Sequence, residues 1–393
     1  MARVSAPDPF APAKLGPITL RNRIIKAATF EGATPRRVVT DRLIDFHRRV
    51  AEGGVGMSTV AYCAVSPDGT TDGRQIVLTD DAAPGLRKLT DAIHAEGAAA
   101  GAQIGHAGPV ASPAGTKHSA LSPSRLRTPA FYKTRAATET DLTRVREDFA
   151  QGARVAVEAG FDALEVHLGH NYLLSSFLSP RLNKRDDRWG GSLENRARFP
   201  REVIRAVRGA AGRGVAVTAK LNMEDGVRGG LQVDESIEVA KMLQDDGALD
   251  ALELTGGSSL LNPMYLFRGD VPRKEFGATM PTALRIGFRL VGRRYFREYP
   301  FSEGFFLPNA RRFREALDMP LILLGGINKL ETINRGLADG FEFVAMARAL
   351  LREPDLIRRM RSGAASEATC IHCNKCMPTI YRGTHCALDA PTS

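Results

Sequence analysis

Apolar and polar positions follow two repeating patterns along the chain, one typical of buried strands and one typical of amphipathic helices. Short, almost continuously apolar segments predict strands that are covered on both faces, as in a parallel sheet. These segments are Arg23–Thr29, Val55–Val65, Ala98–His106, Ala163–His170, Val215–Asn222, Ala251–Gly257, Pro320–Gly326 and Phe341–Arg348. The intervening amphipathic segments predict helices at Asp41–Gly53, Pro84–Gly97, Asp141–Gly160, Leu193–Gly209, Asp234–Asp246, Asn309–Asp318, Leu330–Asp339 and Glu353–Arg361.

Eight strand–helix units are the number that closes a parallel barrel, so the pattern predicts a (β/α)8 TIM barrel. We expect a single domain over residues 1–393. The segment Ala13–Arg23 predicts a small hairpin that covers the N-terminal face of the barrel. Ser258–Pro308, between the sixth strand and its helix, is longer than a βα loop needs to be. We expect it to cap the active site or to build a subunit contact.

Polar and glycine residues occur where the predicted strands end. In such barrels the reactive groups lie at the C-terminal ends of the strands. We therefore expect one shared site to contain Thr29, Gln103, His106, His167, His170, Lys220, Thr255–Gly257, Gly325–Gly326 and Arg348.

The end of the fourth strand carries the densest candidate chemistry. His167 and His170 could both donate hydrogen bonds to one substrate oxygen, and Tyr172 could deliver a proton to carbon as a general acid. The spacing alone leaves two other interpretations open. One is a buried, fully hydrogen-bonded histidine pair with a core tyrosine, and the other is a zinc site.

A phosphate site is predicted after the seventh and eighth strands. Gly325 and Gly326 permit close backbone approach, and Arg348 adds a cation. A tight βα turn beside a surface arginine would leave the same pattern. Lys220 lies in an apolar strand, where it needs an anion such as a reduced flavin unless its ammonium reaches solvent at the rim. Gln103 could donate and accept hydrogen bonds at the pyrimidine edge of a ring.

Charge and hydropathy narrow the class of protein. The formal net charge is +10, but the basic residues are scattered and no nucleic-acid-reading motif is present. The absence of a secretory signal and of a membrane-length apolar run predicts a cytoplasmic protein without stable membrane insertion. The expected partner is a small molecule, and the sequence leaves the oligomeric state open, a homo-oligomer included. Cysteines crowd the C-terminus, which favours metal ligation or reactive thiols over a disulfide framework.

Several motifs together resemble the Old Yellow Enzyme family of flavin oxidoreductases. The segment from Ser179 to Phe199 reads SPRLNKRDDRWGGSLENRARF and is similar to the signature SPxxNxRxDxxGGSxENRxRF of that family. The runs NRIIKAAT and QIGHAG and the H-x-x-H-x-Y set agree with it in order and spacing. The resemblance extends roughly from Pro9 to Asp389.

The resemblance implies an FMN-dependent oxidoreductase that takes hydride from NAD(P)H and reduces the activated C=C bond of an α,β-unsaturated carbonyl compound. His167 and His170 would hold the carbonyl oxygen, and Tyr172 would protonate the α-carbon. The residues implied in FMN binding are Ala28, Thr29, Phe30, Ala61, Gln103, Lys220, Gly325, Gly326, Ala347 and Arg348. Two departures concern this set: Phe30 stands where relatives often carry Cys or Thr, and Lys220 stands where Arg is usual.

The C-terminal cysteines resemble the iron–sulfur segment of the trimethylamine dehydrogenase and dienoyl-CoA reductase branch. Their C-x2-C-x2-C-x9-C pattern suits a [4Fe–4S] cluster or zinc. The implied ligands are Cys370, Cys373, Cys376 and Cys386. An amine or dienoyl-thioester oxidoreductase that uses FMN together with such a cluster is therefore the alternative function.

Overall fold

A short hairpin precedes the main body of the protein. The structure is a computed structural model that describes residues 6–129, 132–279, 285, 292 and 295–389. Strand β1 (Ala13–Leu15) pairs antiparallel with β2 (Ile18–Leu20). Ala13, Leu15 and Leu20 then pack into one apolar cluster with inward-facing barrel residues. The hairpin therefore closes one end of the barrel, as the sequence predicted.

The strands form a closed parallel barrel, which confirms the predicted fold class. Its members are β3 (Ile24–Lys26), β4 (Met57–Ala64), β5 (Ala99–Gly105), β8 (Ala163–Leu168), β9 (Ala216–Asn222), β10 (Ala251–Thr255), β11 (Leu321–Leu323) and β12 (Phe343–Met346). They follow one another around the barrel in this order, and β12 pairs with β3 to complete it. A small parallel pair, β6 (Leu121–Ser122) and β7 (Arg135–Ala136), lies outside the barrel.

Helices surround the barrel close to the predicted positions. They span Asp41–Glu52, Ala83–Ala95, Glu139–Glu158, Leu193–Ala211, Val233–Asp245, Leu307–Ala316 and Leu330–Ala338. Shorter helices span Pro113–Thr116, Leu173–Leu178, Pro263–Phe267, Arg273–Ala278, Arg348–Arg352 and Leu356–Arg361.

The helix predicted over Glu353–Arg361 is present but begins three residues later, at Leu356, and ends at Arg361 as predicted. A separate short helix, Arg348–Arg352, precedes it. Pro354 separates them because a proline disfavours the helical conformation of the preceding residue. Glu353 accordingly has φ −126° and ψ 81°.

Side chains inside the barrel are arranged in levels, since successive residues of a strand point alternately inward and outward. The lowest level is apolar and includes Ala163, Ala216 and Ala251, which pack with the hairpin. Two residues further along β8 and β10, Glu165 and Glu253 point into the same interior. The barrel therefore has an apolar lower half and a charged upper half.

The described part of the long segment Ser258–Pro308 contributes residues to the charged end of the barrel. It includes the helices Pro263–Phe267 and Arg273–Ala278, while residues 280–284, 286–291 and 293–294 lie outside the described residues. Within the described ranges, no helix combines the length and the apolar character that crossing a bilayer requires.

Candidate active site

A cavity of about 1400 Å³ opens at the C-terminal ends of the barrel strands. The long segment supplies one wall through Leu260, Leu261, Phe267, Tyr295 and Phe296. His106 and Thr255–Gly257, which we also expected at the shared site, do not line this cavity. The side chains and glycines predicted for catalysis and cofactor binding do line it. They are Ala28, Thr29, Phe30, Ala61, Gln103, His167, His170, Tyr172, Lys220, Gly325, Gly326, Ala347 and Arg348.

The two histidines and the tyrosine form a compact group on one wall. His167 lies near the end of β8, and the chain then turns through His170 and Asn171, which both have positive φ. The ring centroids of His167 and Tyr172 are 4.6 Å apart, and those of His167 and His170 are 5.1 Å apart. One small ligand group can therefore reach all three side chains.

Burial and nearby positive charge keep both imidazoles neutral. Burial, the neighbouring His170 and the charge of Lys220 lower the pKa of His167 well below its usual range. Burial and Lys220 lower the pKa of His170 to about 3. A neutral imidazole has one N–H donor and one acceptor nitrogen, so each ring can still donate one hydrogen bond.

The partners of the two rings differ. His170 Nε2 lies 3.0 Å from Thr255 Oγ1. His167 Nδ1 is buried and has no hydrogen-bond partner among the described residues. A buried polar atom of this kind is costly unless a ligand satisfies it. The interpretation of the pair as fully hydrogen-bonded core residues therefore does not hold for His167.

Tyr172 is suited to hold a proton. Burial, followed by the negative charge of Asp72, raises the pKa of Tyr172 above its usual range. The phenol therefore remains protonated at neutral pH and can act as a donor.

The alternative of a zinc site finds no ligand set in the structure. Within residues 6–129, 132–279, 285, 292 and 295–389, no three His, Cys, Asp or Glu side chains gather closely enough to hold a single metal ion.

Lys220 belongs to a buried group of charged side chains that the sequence did not predict. Its Nζ lies 2.9 Å from a carboxylate oxygen of Glu165 and 2.9 Å from one of Glu253. Gln103 Nε2 donates to Glu165 Oε1 at 2.6 Å. The protein itself supplies two carboxylates to Lys220, whereas from the sequence we considered only a ligand anion such as a reduced flavin, or an ammonium that reaches solvent. The signal was a glutamate at an inward position of two apolar strands, ALEVHL and ALELT.

The end of the cavity predicted to bind phosphate is formed by backbone that requires glycine. Gly325 has φ +116° and Gly326 has φ +68°. Arg348 lies beside them, hydrogen-bonded to the carbonyl oxygen of Arg268 at 3.1 Å and to the side chain of Asn374. The guanidinium is thus held in place at the cavity and does not project freely from the surface.

We predict that Gly325→Ala weakens cofactor binding. A Cβ at this position would lie 2.5 Å from the ring of Phe306, and the positive φ adds strain of about 1–3 kcal/mol. FMN affinity, measured by fluorescence quenching, should fall by about tenfold or more, since each 1.4 kcal/mol is tenfold. Gly209→Ala is the matched control, because its Cβ would meet nothing within 4 Å and it lies in the helix Leu193–Ala211. Equal affinity in both variants would contradict the prediction.

A second network of ion pairs and hydrogen bonds holds the loop around Asp68. The same loop places Asp72 and Arg74 in the wall of the cavity. Asp68 lies 2.7 Å from Arg144 and 3.6 Å from His106, and Ser66 Oγ donates to it at 2.7 Å. Although burial acts in the opposite direction, His106, Arg144 and Ser66 hold the pKa of Asp68 well below its usual range.

We predict that Asp68→Asn lowers the free energy of unfolding by about 1–2 kcal/mol at neutral pH. Because the folded-state pKa is depressed, the contribution of Asp68 is present above about pH 4 and is lost as pH falls through the folded-state value. Urea unfolding of both proteins at neutral and at acidic pH measures this difference. A stability difference that persists unchanged in acid would show that the charge of Asp68 is not the cause.

The four C-terminal cysteines line a second, small cavity that adjoins the first. Cys370, Cys373, Cys376 and Cys386 all face it, and Cys376 also lines the large cavity. Asn328, two residues after Gly326, donates to the carbonyl oxygen of Cys370 at 3.0 Å. The cysteine segment is therefore attached to the end of the site that carries Gly325, Gly326 and Arg348.

Comparisons with known proteins agree with this site. The profile of the NADH:flavin oxidoreductase / NADH oxidase family matches residues 8–254. The 4,4'-dithiodibutanoate disulfide reductase of Rhodococcus erythropolis is 60% identical over 389 residues, which are 99% of this chain and 96% of that protein. A metal reductase of Desulforamulus reducens is 32% identical over 377 residues, which are 95% of this chain and 52% of that protein. The chain thus spans nearly all of the first relative and about half of the second.

Solved structures share the barrel. A 2-naphthoyl-CoA reductase complex superposes with a TM-score of 0.78 at 26% identity, over 90% of this chain and 52% of that one. Morphinone reductase in complex with tetrahydroNAD gives a TM-score of 0.70 at 25% identity, over 93% of both chains. The motifs, the barrel and the matched family profile lead to one assignment: the chain belongs to the NADH:flavin oxidoreductase / NADH oxidase family, that of Old Yellow Enzyme, and is an FMN-dependent oxidoreductase.

Proposed function

We propose that the protein reduces the activated C=C bond of an α,β-unsaturated carbonyl compound with hydride taken from NAD(P)H. The observation that supports this most is the wall formed by His167, His170 and Tyr172, with two neutral imidazoles beside a protonated phenol. Such a group can bind a carbonyl oxygen and supply a proton nearby.

The residues around the cavity fit FMN. Lys220 and Gln103 line the cavity and could bind the pyrimidine part of the flavin ring through an ammonium and an amide. Arg348, which also lines the cavity, could bind the phosphate through its guanidinium. Gly325 and Gly326 bring backbone to the same end without side chains. When bound, FMN accepts a hydride from NAD(P)H and passes it to the β-carbon of the substrate.

The protein's own groups act on the other atoms of the substrate. His167 and His170 donate hydrogen bonds to the carbonyl oxygen, and these bonds strengthen as negative charge builds there. Tyr172 gives its proton to the α-carbon and is reprotonated from solvent. Because the rings stay neutral and in place, little reorganisation is required during the reaction.

Reduction of an organic disulfide is the second candidate function. It is favoured by the 60% identity to the Rhodococcus erythropolis enzyme named for 4,4'-dithiodibutanoate. Hydride transfer to one sulfur breaks the S–S bond and leaves a thiol and a thiolate. Tyr172 would protonate the thiolate in the same position in which it would protonate an α-carbon.

We also propose that the cysteine segment binds a [4Fe–4S] cluster, as in the alternative amine or dienoyl-thioester oxidoreductases. The support is that four cysteines line one small cavity, and in a cluster of this kind each thiolate binds a different iron. Iron and sulfide analysis after anaerobic purification tests this. Cysteine-to-serine replacement of Cys373 should lower the iron content, and unchanged iron would contradict the assignment.

The test of the main proposal separates the two substrates. The protein, reconstituted with FMN, is reduced anaerobically with NADH or NADPH and then mixed with cyclohexenone or with 4,4'-dithiodibutanoate. Faster reoxidation by cyclohexenone supports ene-reduction, and faster reoxidation by the disulfide replaces it with the second candidate. A protein that cannot be reconstituted with FMN would end both proposals.

A further inference from the structure

Beneath the cavity, two carboxylates and one ammonium meet inside the barrel. Glu165, Lys220 and Glu253 lie on the neighbouring strands β8, β9 and β10, and each is at most 5% exposed. Both carboxylates lie 2.9 Å from Lys220 Nζ. Ionisable groups buried this deeply are rarely found together without a balancing charge.

The charges of this group balance only if one carboxylate holds a proton. One ammonium neutralises one carboxylate, and a second ionised carboxylate in a medium of low polarity is strongly disfavoured. Gln103 adds a hydrogen-bond donor to Glu165 at 2.6 Å. Burial, and then the charge of Glu165 and a hydrogen bond with it, raise the pKa of Glu253 to about 8. Glu253 is therefore the carboxyl that holds the proton near neutral pH.

The other elements around Glu253 do not offset this arrangement. On β8, His167 is neutral, as is His170 in the following loop. Strands β11 and β12 present Ile322 and Ala345 to the barrel interior. On the outer side of β3, Lys26 and Glu31 form a buried pair at 2.9 Å whose charges cancel. Lys220 lines the cavity and contacts Glu253, so it connects Glu253 to a ligand bound in the cavity.

We propose that Glu253 is a proton-binding group of the flavin site: it keeps its proton near neutral pH, and at alkaline pH it takes up a proton when FMN is reduced and releases it when FMN is reoxidised. This rests on the proposed function only in placing the flavin ring above Lys220 and Gln103. Glu253 does not line the cavity and so does not contact the substrate; it acts only through its charge and through Lys220.

The step balances in atoms and charge. NAD(P)H would give up a hydride and become NAD(P)+, and a flavin bound above Lys220 would gain one hydrogen, two electrons and one negative charge. A new negative charge there would repel the carboxylate of Glu253 and so favour its protonated form. Glu253 then accepts one proton from solvent. On reoxidation the hydride goes to the substrate and the proton of Glu253 returns to solvent.

Counting protons tests the proposal without any substrate. The FMN-loaded protein, in weak buffer with a pH-indicator dye, is reduced anaerobically with one equivalent of NADH at a series of pH values from about 7 to 10. Wild type should take up close to one proton per FMN on the alkaline side of pH 8, and Glu253→Gln should take up none there. Equal uptake by the two proteins would overturn the proposal, because protonation of the flavin itself would persist in the variant.

Glu31→Gln is the matched control. Glu31 is also a buried glutamate paired with a lysine, but the charge of Lys26 lowers the pKa of Glu31 despite its burial. It is thus ionised in both flavin states, and Glu31→Gln should keep the proton uptake of wild type. Loss of uptake in both variants would show that any change of buried charge suffices and would overturn the specific assignment.

A second measurement uses wild type alone. On the alkaline side of pH 8, the infrared difference spectrum between oxidised and reduced protein should gain a protonated-carboxyl C=O band that shifts in heavy water, and its absence there would count against Glu253. Failure of this proposal can be distinguished from failure of the proposed function. Proton uptake without reduction of cyclohexenone would remove the proposed substrate class and leave the role of Glu253 intact.

Discussion

Replacing His167 by Leu should slow substrate reduction by about 10²–10³-fold and leave the reduction of FMN by NAD(P)H almost unchanged. Loss of one preorganised donor to a developing oxyanion typically has this effect. His167 is the stronger choice of the two histidines, because its Nδ1 is buried without a partner among the described residues, whereas His170 Nε2 already contacts Thr255. Leu fills a similar space in the barrel but has no N–H group.

Anaerobic stopped-flow mixing measures the two half-reactions separately. His167→Asn is the matched control, since its amide retains an N–H donor, and it should recover part of the lost rate. A fall of the same size in both half-reactions would indicate a disturbed flavin site and would contradict the role of His167 as a donor to the substrate.

The same pair should add no titration step to substrate reduction between about pH 5 and 8. Burial and Lys220 lower the pKa of His170 to about 3, and the pKa of His167 is also lowered, so both rings are neutral throughout this range. The pH profile of the substrate half-reaction, compared between wild type and His167→Asn, checks this. A step near pH 6.5 that disappears in the variant would show that His167 becomes charged.

Replacing Tyr172 by Phe should slow substrate reduction by about 10²–10⁴-fold, the usual contribution of a general acid. The phenol is protonated at neutral pH because burial raises its pKa, and its ring lies 4.6 Å from that of His167. Phe keeps the ring contacts and removes only the proton donor. Reduction of FMN by NAD(P)H, which needs no proton from this group, should proceed at nearly the wild-type rate.

Tyr132→Phe provides the control for the loss of a phenol from the same cavity. Tyr132 lines the cavity, but its hydroxyl donates to the carbonyl oxygen of Pro109 at 2.9 Å. The substrate half-reaction of this variant should remain within a few-fold of wild type. If both tyrosine variants lose activity alike, the effect comes from the shape of the cavity and not from proton transfer by Tyr172.

Several parts of the site were predictable because they depend on short-range sequence. In the strand end EVHLGHNY, only a few positions separate His167, His170 and Tyr172, so their proximity follows from local geometry. Gly325 and Gly326 stand at a strand–helix turn that requires positive φ, which is also a local property. The helix predicted from Glu353 begins only at Leu356, and the reason is also local, since Pro354 disfavours the helical conformation of Glu353.

The buried charged group was not predictable in the same way. Glu165, Lys220 and Glu253 are separated by 55 and 33 positions, and each alone reads as an isolated charge in an apolar strand. The attachment of the cysteine segment to Asn328 and Arg348 likewise joins distant parts of the chain. Neither contact leaves a local signal.

By itself, the sequence determined the eight strand–helix units, the family and the end of the barrel where chemistry occurs. These follow from the spacing of apolar residues and from short motifs, which involve only residues that are close together in the sequence. The tertiary structure decided which inward-facing side chains contact one another. Closure of the barrel pairs Glu253 with Lys220 across β9 and β10 and brings Glu165 of β8 to the same ammonium. That register is set by the packing of all eight strands together, and it converts three separate charges into one buried group.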